Sequence, residues 1–108
     1  MTTITILNDK SGTHKGFEVS GHSDYSRSGR DIVCAAVSML TTNTINSIET
    51  FTEDFISYES DEESAFIKLI LEDESSHDAQ LLIDSMILGL STLAKAYPKY
   101  VRLMIEEV

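Results

Sequence analysis

The chain has 108 residues, of which 42% are hydrophobic and 24% charged, and 18 acidic against 8 basic side chains give it a formal net charge of −10. That length supports one domain, residues 1–108, around one modest core, and the composition is that of a globular protein rather than a disordered one. The charge argues against a phosphate-binding face of clustered Lys and Arg, so no direct contact with nucleic acid is expected; it suits a cationic partner or simply keeps the protein in solution.

The opening residues, MTTITILNDK, lack the basic start and apolar run of a secretion signal, which points to the cytoplasm. Residues 3–8 alternate apolar and polar in the manner of a half-buried strand. A turn rich in Ser, Gly and Lys leads to a second short strand, Phe17–Ser20, so the pair reads as a hairpin. The polar loop Gly21–Arg30 follows; its part from Ser23 to Arg30 has little to pack and is a candidate lid across Cys34.

From Asp31 to Glu49, Val33, Val37, Leu40 and Ile48 recur at helical spacing. Two strands, Phe55–Glu59 and Ala65–Glu72, are joined by the acidic turn SDEES. Ser75 or Ser76 can cap a second helix that runs to Tyr97, with Pro98 as the stop. Leu82, Met86, Leu93 and Tyr97 form one apolar stripe on that helix, and Ile83, Ile87, Leu90 and Ala94 form another. Such a helix is buried on more than one side, by the sheet and by either the first helix or a second subunit. No apolar stretch is expected to reach the roughly 18 residues of a membrane span. Residues Tyr100–Glu106 close the chain as a strand. The order is ββαββαβ, an α+β domain with one sheet and two helices.

The chemistry concentrates in residues 21–38, GHSDYSRSGRDIVCAAVS. His22 stands at a strand end, and Cys34, the single cysteine, stands 12 positions later in the first turn of the expected helix. One cysteine permits no intramolecular disulfide, which fits a reducing compartment. A thiol with a free pKa of about 8.5 becomes a nucleophile when a helix N-terminus and a nearby imidazolium favour the thiolate. The imidazole then moves protons to and from the leaving group, and unpaired N–H groups at the helix start can hold the oxyanion. Either residue alone is more often structural: a small Cys packs in a core, and a strand-end His bonds to backbone. Asp31 has two readings. It can cap the helix, or it can orient the imidazole of His22. His22, Asp24, Asp31 and Cys34 are zinc-compatible types, but one thiolate with two carboxylates is an unusual set, and no metal or other cofactor is expected.

The same stretch resembles the signature of the ribosomal-processing cysteine proteases of bacteria, a Gly-His pair, a short loop and Gly-x-Asp-Ile-Val-Cys-Ala. Here these are Gly21, His22, Gly29, Asp31, Ile32, Val33, Cys34 and Ala35. The likeness continues through Asn46–Glu49, the apolar second helix and Val101–Leu103. The resemblance implies a cysteine endopeptidase that removes a short N-terminal extension from large-subunit ribosomal protein twenty-seven, cutting after an aromatic pair. It implies Cys34 as nucleophile and His22 as base, with Asp31 at the family's aspartate position, and it implies a homodimer. Ser28 departs from the pattern, where many members carry an aromatic residue, as does Ala36, where many have Gly or Ser. Two rivals remain open on the residues alone: a non-catalytic ribosome-associated protein, and a thiol amidase or acyltransferase with the same dyad.

Overall fold

A computed structural model of the chain describes residues 1–21, 28–61 and 63–108, the side chains of 28–31 excepted. Strands β1 (Thr2–Asn8) and β2 (His14–Ser20) lead to helix α1 (Ser28–Phe51). Strands β3 (Ile56–Asp61) and β4 (Phe66–Leu71), helix α2 (His77–Ala96) and strand β5 (Val101–Glu107) follow. The order is the expected ββαββαβ, and the five strands form one sheet in the order β3-β4-β2-β1-β5.

The β1–β2 hairpin turns on Asp9, whose Oδ1 accepts hydrogen bonds from the N–H groups of Ser11 and Thr13 at 2.8 and 3.1 Å. This is the backbone-mimicking bond that makes Asp a turn residue. Register then decides which face is wet. Ile4 pairs with Val19 and Leu103, Ile6 with Phe17, and Phe17 with Leu69. One face is therefore continuously apolar, and Ile4, Ile6, Phe17 and Leu69 are fully buried on it. The opposite face carries Thr3, Thr5, Glu18 and Lys68 and meets solvent.

Both helices lie on the apolar face. Ser76 caps α2, its Oγ accepting from Ala79 N–H at 3.1 Å, while Ser75 Oγ accepts instead from the Gln80 side-chain amide at 2.7 Å. From α2, Ala79, Ile83, Met86 and Leu90 are buried as one stripe; full burial of the three larger side chains contributes about 1.5–3 kcal/mol each. The expected burial on more than one side is met: Ile83, Met86 and Leu90 are buried, and Ala94 and Tyr97 pack against the core. Leu82, Ile87 and Leu93 pack at the core's edge, but Leu81 and Leu88 face outward. α1 covers one flank closely, because a Cβ at Gly89 would stand 3.0 Å from Leu40 Cδ2. By length and composition α2 does reach the threshold for a membrane span, contrary to expectation. Its buried stripe against the sheet and the polar Asp84 at its middle make it a core helix.

Several boundaries move, and two of them bear on the site. β2 begins at His14 rather than Phe17, because Gly16 lets the strand pass where a Cβ would collide with the Leu69 carbonyl. α1 begins at Ser28 rather than Asp31, so Gly21–Arg30 is not loop throughout. The lid was expected over Ser23–Arg30; residues 22–27 lie outside the described residues, and 28–30 are the start of α1 instead.

Candidate functional site

Two helices cannot cover five strands. α2 packs against the β5 side, and α1 packs against α2. β3 is thus an edge strand left without a helix above it, and five of its six residues are exposed, Tyr58 included. Between α1 and the uncovered end of the sheet opens a cavity of 460 Å³. Val19, Ile67 and Tyr58 line it from the sheet, and Val37, Thr41 and Ile45 line it from α1. Cys34 lines the same cavity and is half-buried.

Gly21 lines it as well, at the end of β2. Its φ is +92°, and a Cβ there would strike the Met1 carbonyl, so only glycine fits. His22, the next residue, lies outside the described residues, as does Asp24. Cys34 and the chain leading into His22 therefore meet at one cavity.

The helix start revises two expectations. Cys34 is the seventh residue of α1, counted from Ser28, and so sits in the second turn rather than the first. The field of the helix terminus fades within the first turn, and the unpaired N–H groups belong to residues 28–31, not to Cys34. Asp31 is likewise inside the helix rather than at its cap, since an N-cap residue precedes the helical backbone. Its side chain lies outside the described residues.

The buried polar groups of α1 are satisfied locally. Thr41 Oγ1 donates to the Val37 carbonyl at 2.9 Å, and Thr44 Oγ1 donates to Leu40 at 2.7 Å. His14 is structural. Its ring nitrogens lie 2.7 Å from Asn8 Oδ1 and 2.6 Å from Asp84 Oδ1, and its backbone N–H and C=O clamp the Gln80 amide, which fastens the hairpin to α2. Among the described residues no cluster of three or more His, Cys, Asp or Glu could hold a metal ion.

Sequence reasoning did not find the groove wall. Ser38, Thr42 and Asn46 line the cavity beyond Cys34, each four residues from the last. That spacing is visible in the sequence, but a search for apolar periodicity passes over it.

Comparisons with known proteins agree with this geometry. The family model of the cysteine protease Prp matches residues 1–102. The ribosomal processing cysteine protease Prp of Staphylococcus aureus is 27% identical over 103 residues, covering 95% of this chain and 97% of that protein. Its counterpart in Bacillus subtilis is 29% identical over 90 residues, 80% of each chain. Among solved structures, the S. aureus protease in complex with a substrate peptide superposes with a TM-score of 0.91 at 25% identity, over 98% of this chain and 100% of the other. SMU.848 from Streptococcus mutans gives a TM-score of 0.90 at 31% identity, over 100% of this chain and 96% of the other. A cysteine beside a peptide-sized groove, on this fold and with this likeness over nearly the whole length, places the chain in the Prp family of ribosomal-processing cysteine proteases.

Proposed function

We propose that this protein cleaves the N-terminal extension from large-subunit ribosomal protein twenty-seven, with Cys34 as nucleophile and His22 as general base. The observation that carries the reading is the cavity itself: the single cysteine of the chain lines a groove that Gly21, the neighbour of His22, also lines. The Cys34 Sγ attacks the scissile carbonyl carbon, the C=O π pair moves to oxygen, and the thiol proton passes to the imidazole. Collapse of the tetrahedral intermediate breaks the C–N bond, and the imidazolium protonates the departing amine. Water, deprotonated by the same imidazole, then attacks the thioester and releases the new carboxylate and the thiol. Asp31, one helical turn before Cys34, orients the imidazole in this scheme.

The protease works in the cytoplasm, where a lone thiol stays reduced. It works as a homodimer, to which the exposed Leu81 and Leu88 of α2 offer an apolar surface. Family membership favours peptide hydrolysis over a non-catalytic or acyltransfer role. Incubation of the enzyme with the full-length ribosomal protein, followed by mass spectrometry, tests the reading. A single cut that frees the extension after its aromatic pair is the expected result. An intact substrate, or cuts scattered through the body, would overturn it.

A further inference from the structure

Helix α1 is poorly built as a helix. From Thr41 to Ser47 it reads TTNTINS, with no strong helix former in seven residues. Thr41 and Thr44 return their hydroxyls to the helix's own carbonyls, and Ile45 joins the core. Ser38, Thr42 and Asn46 do neither. Their side chains form no hydrogen bond among the described residues, and all three are exposed into the cavity that Cys34 opens. Weak helix formers that neither pack nor bond locally, and that also line the cavity, are placed to meet something outside the fold.

With four-residue spacing, Cys34, Ser38, Thr42 and Asn46 form one ridge. Each step is about 6 Å, so Asn46 lies about 18 Å along the helix from the thiol. An extended peptide advances about 3.3 Å per residue and covers that distance in five or six residues. Across the groove stand Tyr58 and Ser60 of the edge strand, on its helix-facing side.

Resting on the protease reading, we infer that this ridge is the binding track for one side of the substrate. An extended peptide runs from the scissile bond at Cys34 past Ser38 and Thr42, and Asn46 is the far polar clamp on its backbone. An Asn side chain carries both an acceptor and two donors, so it can hold a peptide group by N–H and C=O together. Specificity for an extension of sufficient length then resides on α1, remote from the chemistry.

Peptides from the ribosomal protein's extension, lengthened one residue at a time on each side of the scissile bond, test this with wild type and Asn46→Leu. Leucine matches Asn in size and favours the helix more, so the fold is kept; Asn43→Leu, on an exposed position outside the cavity, is the control. In wild type, kcat/KM should climb until five or six residues are present on one side only. In Asn46→Leu the final climb should be missing, a loss of about three- to tenfold confined to the long peptides, as expected for one hydrogen-bonding group. A variant that follows wild type at every length, or loses equally at every length, overturns the track. A wild type that cleaves no peptide overturns the protease reading itself, and the track with it.

Discussion

The two helices of this domain lie side by side on one sheet and are built to opposite standards. α2 has a serine cap bonded to Ala79, Asp78 in its first turn, Lys95 in its last, and an unbroken buried stripe. α1 is longer, has no basic residue in its last turn, and carries threonine, asparagine and serine where α2 carries leucine and alanine. One helix is composed for stability, while the other gives up part of its stability to present polar groups to a groove. Stability and activity should therefore separate by helix.

The sharpest test is at Cys34. Cys34→Ala should abolish cleavage and leave the melting temperature nearly unchanged, since the side chain is small and half-buried. His22→Ala should also lose activity, and iodoacetamide should then alkylate Cys34 more slowly near neutral pH. Retained turnover in the first variant, or an unchanged alkylation rate in the second, breaks the assignment of α1 as the catalytic helix.

On α2 the converse holds. Ile83 is fully buried beneath the helix, so Ile83→Ala should cost about 2–5 kcal/mol in denaturant unfolding. The kcat of the folded fraction should stay near wild type. A large kcat loss without loss of stability would mean that α2 is no mere support.

Smaller effects refine the picture. Asn43, exposed on α1 and outside the cavity, costs helix propensity; Asn43→Ala should stabilise by roughly half a kcal/mol with activity unchanged. At the entry to α2, desolvation pushes the Asp54 carboxyl upward, but the Ser76 hydroxyl and N–H and the Thr52 hydroxyl outweigh it and hold it below the ordinary aspartate range. A lowered value stabilises the fold above the unfolded pKa and loses that contribution as pH falls through the folded one. Asp54→Asn should therefore cost at most a few tenths of a kcal/mol at pH 7, given solvent screening. Below about pH 4 that difference should fade. Urea titrations at both pH values check it, and an undiminished difference in acid would assign the effect to packing.

Much of this was legible in the sequence, for reasons that can be stated residue by residue. Alternation in TITILN gives β1, and the apolar spacing of α2 gives its buried stripe, because both periods are dictated by backbone geometry. Ends were harder. β4 begins at Phe66 rather than Ala65, whose φ of +52° belongs to the turn, and a sequence offers no sign that an alanine will adopt it. The start of α1 was missed by three residues, which moved Cys34 from the first turn to the second. Of the proposed dyad, residue types pointed to Cys34, which lines the groove, and to His22, which lies outside the described residues. The groove was not readable, because it exists only through strand order: β3 lies at the sheet's edge with five of its six residues exposed, and no local pattern encodes what fails to be covered.

Strand order has a kinetic side as well. β1 pairs with β5 in parallel, Thr2 opposite Val101 and Asn8 opposite Glu107. The strand made first must wait for one made about a hundred residues later before its second edge is closed. Contacts of such sequence separation are slow to form, because the intervening chain must be ordered before they are rewarded. Thr2 lines the same cavity as Cys34. The groove thus takes shape only when the two distant segments have met, so the nascent enzyme has no finished cleft with which to act on its surroundings.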